Sequence, residues 1–241
     1  MSSILLYLVV AAIPAAFLLA WIVRLDRKRP EPIGLIGRSV LYGFLAVAPA
    51  ATIELALARA VPPLPGVWEI AFEAFVGAAL VEEGTKLFFV KRYLYKRPEF
   101  DEYADGIVYA ICVSLGFAFV ENFIYGWRNL GILLARAFTA VPGHAVFSGI
   151  MGYYVGQSKL DPSRPGAWAK GLAWAILLHG LYDAFLMSGT WAAFLVLPLL
   201  ALGSLALRRL FKEALRRDDE AERAAGGGIM ASYQRPEPPI L

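Results

Sequence analysis

The sequence predicts an all-α protein, a polytopic transmembrane helical bundle of about seven spans. Hydrophobic residues make up 59% of the 241 residues and charged residues only 18%, whereas soluble domains are about half apolar and about a quarter charged. The apolar residues lie in long blocks, and an α-helix needs about 20 such residues to cross the hydrocarbon core of a bilayer. We therefore expect a multi-pass protein of the cell membrane, with the lipid bilayer as its environment.

Seven segments are apolar and long enough to be spans. The first, 4–23, carries no charge and lacks the basic region that precedes the apolar core of a signal peptide, so an uncleaved span is favoured. The others cover 38–58, 68–90, 106–127, 131–157, 169–187 and 190–207, and no internal repeat is evident.

Basic residues alternate between the loops that join these segments. The first, third and fifth loops and the stretch after the last span are rich in Lys and Arg, whereas the second, fourth and sixth contain few. Cytoplasmic loops carry an excess of Lys and Arg, so the pattern predicts an N-terminus outside and a C-terminus in the cytoplasm. It also accounts for the net charge of +3, and no nucleic-acid partner is expected.

The chain is predicted to contain one transmembrane domain, residues 1–217, in which 208–217 can form a short amphipathic helix at the membrane surface. Residues 218–241 lack apolar periodicity and are rich in Gly, Pro and charge, which is typical of a flexible tail, here cytoplasmic. The single cysteine, Cys112, excludes an internal disulfide and a thiolate metal cluster.

Ionisable side chains within the predicted spans are the main functional signal. Each costs several kcal/mol in the bilayer, roughly 2.5–3.5 on insertion scales, and therefore needs a partner, water or a function. Most lie in four motifs: EEGTK with Glu82, Glu83 and Lys86, FAFVENF with Glu121 and Asn122, HAVFS with His144 and Ser148, and HGLYD with His179 and Asp183. A spacing of four residues places Glu82 with Lys86, and His179 with Asp183, on one helical face that we expect to face the bundle interior. Glu83 is rotated by about 100° from Glu82 and is expected to point elsewhere.

Four further charged residues are expected at the solvated outer ends of spans, where Arg136 can extend its side chain toward water. The carboxylates in this set are Glu54, Glu69 and Glu73.

Several kinds of chemistry suit the four motifs. Neighbouring buried carboxylates do not readily both ionise, which places a base beside an acid, as general acid–base hydrolysis requires. Histidines at similar depth can donate hydrogen bonds to an oxyanion. The sequence has no Ser nucleophile elbow and no HExxH motif, although two His and a Glu can still hold a catalytic zinc ion. Without catalysis, the same residues can join helices by salt bridges and hydrogen bonds, or relay protons in a transporter.

The four motifs, in this order on successive spans, resemble the PrsW family. This is the bacterial branch of the CPBP/Abi superfamily of intramembrane proteases, which is related to the CAAX prenyl endopeptidases. The resemblance covers about residues 70–190. It implies a glutamate-type intramembrane endopeptidase whose partner is a membrane-anchored protein substrate. The best-known member makes the first cut, at site 1, in a membrane-anchored anti-sigma factor.

By this resemblance, Glu82 is expected to activate a water molecule. Glu83 and Glu121 are expected to position the proton of Glu82 or to share it. Lys86 is expected to hold Glu82 or Glu83 in the charged form. The superfamily commonly has His in place of Glu121, so the site of this chain is more acidic.

The histidines are assigned by the same resemblance. His179, oriented by Asp183, is expected to donate a hydrogen bond to the oxyanion, and His144 is expected to assist. The supporting residues of the set are Lys86, Asn122, Ser148 and Asp183. No cofactor is expected, although zinc is kept as an alternative. A proton-coupled transporter and a non-catalytic membrane scaffold are the competing hypotheses.

Overall fold

The computed structural model describes residues 3–224, and all regular secondary structure in that range is helical, without a β-strand. The all-α class is confirmed for this part of the chain. Nine α-helices follow one another: α1 (Ser3–Leu25), α2 (Ile33–Ala60), α3 (Val67–Phe72), α4 (Val81–Phe89), α5 (Tyr103–Gly126), α6 (Leu130–Phe138), α7 (Ala140–Leu160), α8 (Ala167–Met187) and α9 (Val196–Ala224).

Five helical segments between residues 3 and 224 are long and apolar enough to cross a membrane, which confirms a multi-pass membrane protein. They are Ile4–Leu25, Ile33–Ala60, Tyr103–Gly126, Leu130–Leu160 and Trp191–Ala224. The predicted spans at 68–90 and 169–187 are also largely helical, but they carry several of the charged site residues. The count of seven and the orientation of the termini stay predictions.

Helix α5 lies at the centre of the bundle, since most of its residues are buried, from Ala104 to Ala118 without a break. It packs against α2 on one side and α7 on the other. Both crossings use glycine, because a Cβ atom at Gly43 would collide with the carbonyl oxygen of Val113, and one at Gly106 with that of Gly152. Small residues of this kind let membrane helices approach closely.

The helical run that carries the EEGTK motif is interrupted by π-helix. Between α3 and α4 the residues Glu73–Leu80 are π-helical, and so are Val90–Leu94 after α4. A π turn has hydrogen bonds from i to i+5 and often occurs at functional sites. The extra residue per turn rotates the side chains of α4 relative to those of α3, which a uniform helix over 68–90 would not do.

The start of the predicted tail belongs to the fold. Helix α9 continues through Ala224, and the buried side chain of Asp218 accepts hydrogen bonds from the backbone N–H groups of Tyr103 and Ala104, at 2.6 and 3.1 Å. A carboxylate at these first N–H groups stabilises the start of α5. The remainder of the predicted tail, 225–241, lies outside the described residues.

Candidate active site

The four motifs meet in one buried cluster between α4, α5, α7 and α8. One ligand-type atom from each of Glu82, Glu83, His144 and His179 lies within 4.8 Å of the others. Polar contacts join eight of the nine predicted site residues into a single network, which the following paragraphs describe. The exception is Asn122, which is fully buried and whose amide makes no hydrogen bond to a described residue.

Glu83 is the anchor of this network. Its side chain is fully buried, and it accepts hydrogen bonds from Lys86 Nζ at 2.7 Å, Ser148 Oγ at 2.7 Å and His179 Nδ1 at 3.1 Å. Buried carboxylates need such donors to offset the loss of water. Because both oxygens are occupied, Glu83 holds α4, α7 and α8 together and has little capacity left for a reactant.

Lys86 lies at the centre of the cluster with no exposed surface. Its Nζ is 3.1 Å from Glu82 Oε2, 2.7 Å from Glu83 Oε1 and 2.9 Å from His144 Nδ1, and it sits 4.2 Å from the centre of the Phe117 ring. The sequence predicted a contact with one of the two carboxylates. The structure shows both, because Glu83 precedes Lys86 by three residues and Glu82 by four, and both spacings allow contact on a helix.

His144 links Lys86 to Glu121. An ammonium group can only donate, so Nδ1 of His144 accepts from Lys86 and Nε2–H donates to Glu121 Oε2, at 2.6 Å. The other oxygen of Glu121 pairs with Arg136 Nη2 at 2.8 Å. Arg136 was expected to extend toward water, and its contact with Glu121 depends on the packing of α6 against α5 and α7, which the sequence does not give.

His179 is held between carboxylates on both sides. Its Nδ1 donates to Glu83, and its Nε2 lies 3.3 Å from Asp183 Oδ2 and 4.0 Å from Glu82 Oε2. An ionised carboxylate can only accept hydrogen bonds. Glu83 and Asp183 therefore both receive a hydrogen bond from His179 when each ring nitrogen carries a proton. The ring is stacked on Phe147, with 5.6 Å between centroids, so its orientation is fixed.

Glu82 differs from Glu83 in having an oxygen available. Its Oε2 contacts Lys86, whereas Oε1 makes no hydrogen bond to any residue between 3 and 224. The side chains on this side of the cluster are the more accessible ones, with 8% exposure for Glu82, 14% for Glu121 and 19% for Asp183. A water molecule can therefore reach Glu82 more easily than Glu83.

A cleft of about 270 Å³ lies beside the cluster, between α2, the first π-helical stretch and the end of α8. It is lined by Ala78, one turn before Glu82, and by the carboxylates of Glu54, Glu69 and Glu73. These three glutamates were expected only at a solvated surface, and their spacing along the chain does not predict a shared cleft.

The cluster contains the kinds of atom that bind zinc, namely two imidazoles and two carboxylates. Their arrangement does not fit a metal ion, because the Lys86 ammonium already contacts Glu82, Glu83 and His144. In addition, both nitrogens of His179 face carboxylates. A zinc ion would need Lys86 to leave this position.

Buried carboxylates and imidazoles inside a bundle of membrane-length helices define a membrane protein with an acid–base site in its interior. Comparison with known sequences shows which family of membrane proteins this is. The chain belongs to a family described as "PrsW family intramembrane metalloprotease", whose sequence model matches residues 31–207. The predicted resemblance to PrsW is confirmed, and the wider CPBP/Abi placement stays a prediction.

Curated relatives are similar over most of their length. The chain is 40% identical over 202 residues to Protease PrsW of Geobacillus kaustophilus, which covers 82% of this chain and 87% of the relative. It is 40% identical over 205 residues to that of Oceanobacillus iheyensis (82% and 91%). It is 32% identical over 188 residues to that of Bacillus subtilis (77% and 84%). No solved structure matches the chain.

Proposed function

We propose that this protein is a glutamate-type intramembrane endopeptidase in which Glu82 activates the attacking water. The observation that carries the proposal is the difference between two adjacent carboxylates. Glu83 accepts from three donors through both of its oxygens, whereas Glu82 keeps an oxygen available on the accessible side of the cluster. Membership of a protease family supports the reaction type.

In this mechanism Glu82 takes a proton from water while the hydroxide attacks the carbonyl carbon of the scissile peptide bond. Lys86, at 3.1 Å, favours the charged form of Glu82 against the effect of burial. The carbonyl oxygen becomes an oxyanion, which accepts a hydrogen bond from Nε2–H of His179 and shares this donor with Asp183 Oδ2, 3.3 Å away. The C–N bond then breaks, and Glu82 returns its proton to the leaving nitrogen, so that no other acid is needed.

The pair of Glu121 and His144 acts on this centre through Lys86. His144 accepts from Lys86 and donates to Glu121, and Arg136 fixes Glu121 in turn. This chain of contacts orients the ammonium toward the two glutamates of α4. Glu121 and His144 are therefore assigned to positioning, with Asp183 holding the ring of His179.

For the substrate we propose a membrane-anchored protein, and an anti-sigma factor cut at site 1 is the specific candidate from the resemblance. We also propose seven spans with an external N-terminus, from the alternation of basic loops. Single cysteines placed in successive loops of a Cys112→Ala background test the orientation, since each loop should react with an impermeant thiol reagent from one side only.

The test of the function is proteolysis of single-span membrane proteins, anti-sigma factors among them, by purified protein in liposomes. Glu82→Gln should lower the cleavage rate by about 10²–10⁴-fold, the usual share of a general base. Glu220→Gln, an equal change on an exposed part of α9, should leave the rate unchanged. Cleavage that persists in Glu82→Gln would refute the assignment. A protein that moves protons across the liposome without cleaving would support the transporter alternative.

A further inference from the structure

A second cavity lies on the far side of α7 from the catalytic cluster. It is a groove of about 910 Å³ between α1, α7 and α9, a size at the upper end of small-molecule pockets, about 300–1,000 Å³. Its apolar wall includes Trp21 and Ile22 of α1 and Ala145 and Val146 of α7. Within a membrane, such a groove is in contact with acyl chains.

Two basic side chains on the wall of this groove distinguish it from an ordinary lipid-facing surface. Arg208 and Lys212 lie one turn apart on α9 and follow the apolar residues Ala201 and Leu205 of the same helix. Neither makes an ion pair or hydrogen bond with any residue between 3 and 224. The arginines that follow do, since Arg216 and Arg217 both pair with Glu213.

We propose that the groove binds an anionic phospholipid, with its acyl chains along the apolar wall and its phosphate between Arg208 and Lys212. The basic pair lies at the end of the bundle where α1 finishes at Leu25 and the basic first loop begins. Charged groups belong at that depth, and basic pockets between membrane helices bind anionic headgroups. The charge of the pair and the apolar wall together match one amphipathic molecule.

A transmembrane helix of the substrate fits the groove less well. The ring of His144 points into the catalytic cluster, whereas the next residues, Ala145 and Val146, line the groove, so α7 separates the two sites. A substrate helix in the groove would also leave two cations in an apolar interface without a partner. The lipid site is therefore independent of the proposed catalytic mechanism.

Trp21 provides a direct measurement, because its side chain is half exposed and lines the groove. The full chain is reconstituted in phosphatidylcholine nanodiscs with increasing mole fractions of phosphatidylglycerol brominated on its acyl chains. Bromine quenches nearby tryptophan, and each protein is also measured with Trp21→Phe to isolate the signal of this residue. We expect saturable quenching of Trp21 in the wild type at a low fraction of the anionic lipid.

The matched variants are Arg208→Gln and Arg209→Gln, two equal charge changes on adjacent exposed residues of α9, of which only Arg208 lines the groove. A basic residue near an anionic membrane contributes about a five-fold factor in binding. Arg208→Gln should raise the lipid fraction at half-maximal quenching by about five-fold, and Arg209→Gln by less than two-fold. Ser204→Phe should abolish the saturable phase by filling the groove while the charges remain.

Three results would overturn the proposal. Equal shifts in Arg208→Gln and Arg209→Gln would show diffuse surface attraction only. Equal quenching by brominated phosphatidylcholine would show ordinary boundary lipid. Protection of Trp21 that grows with protein concentration would show that a second copy of the chain covers the groove.

Discussion

The assignment of different roles to Glu82 and Glu83 predicts that the same substitution has different effects at the two positions. Glutamine has nearly the shape of glutamate and removes one negative charge, so Glu83→Gln and Glu82→Gln form a matched pair on α4. We expect Glu83→Gln to lower stability strongly and Glu82→Gln to lower it little, although both should impair cleavage.

The size of the difference follows from the contacts. Glu83 accepts from two charged donors, Lys86 and His179, and from Ser148. Neutralising an acceptor reduces a hydrogen bond from a charged donor by roughly 1 kcal/mol, and with the lost attraction to Lys86 the total is about 3 kcal/mol. Glu82 has one such bond, at 3.1 Å, and a corresponding cost of about 1 kcal/mol.

Thermal unfolding of the detergent-solubilised protein measures this difference. For a chain of this size, 1 kcal/mol shifts the Tm by roughly 2–4 °C. Glu83→Gln should thus lower the Tm by about 6–12 °C and Glu82→Gln by about 2–4 °C. Equal shifts in the two variants, or a larger one in Glu82→Gln, would refute the view that Glu83 is the structural anchor and Glu82 the available base.

Three further predictions concern other groups. Ser148→Ala removes the 2.7 Å hydrogen bond to Glu83 and should lower the free energy of unfolding by about 1–3 kcal/mol. The cleavage rate should fall less than ten-fold. A loss of a thousand-fold or more would indicate a serine nucleophile. Burial raises the pKa of Glu102 from 4.5 to about 8 against the opposing effect of Arg29. A carboxyl with a raised folded pKa stabilises the protein below its unfolded pKa and loses that contribution as the pH rises to about 8. Glu102→Gln should therefore flatten the fall in Tm between pH 5 and pH 8, and an unchanged fall would contradict this. Finally, the purified protein should contain no stoichiometric zinc and should keep its activity in a chelator, and one zinc per chain with chelator-sensitive cleavage would contradict the position of Lys86 in the cluster.

Much of the site could be predicted from spacing within single helices. The separation of four residues correctly placed Glu82 with Lys86 and His179 with Asp183, because helix geometry alone decides such contacts. Helical class and membrane location followed from composition in the same way.

Contacts between helices could not be predicted, since they depend on how each helix is rotated and how deeply it lies. Nothing along the chain predicts that His144 connects Glu121 to Lys86, because the three residues lie on different helices. Arg136 was assigned to solvent because nothing in its neighbourhood along the chain indicates Glu121 as a partner. The π-helical stretch before α4 was also missed, as its residues, Glu73–Leu80, have no composition that distinguishes them from α-helix.

Lys86 connects the stability of this site with its chemistry. A fully buried ammonium is costly unless it is paired, and here Glu82, Glu83 and His144 surround it. In the proposed mechanism the same contacts favour the charged, basic form of Glu82, and removal of the lysine would leave two adjacent carboxylates that do not readily both ionise. A bound metal would supply the same positive charge at the same point and activate water itself. Either an ammonium group or a metal ion can therefore offset the negative charge of the two adjacent glutamates. In this protein the ammonium group of Lys86 contacts both of them.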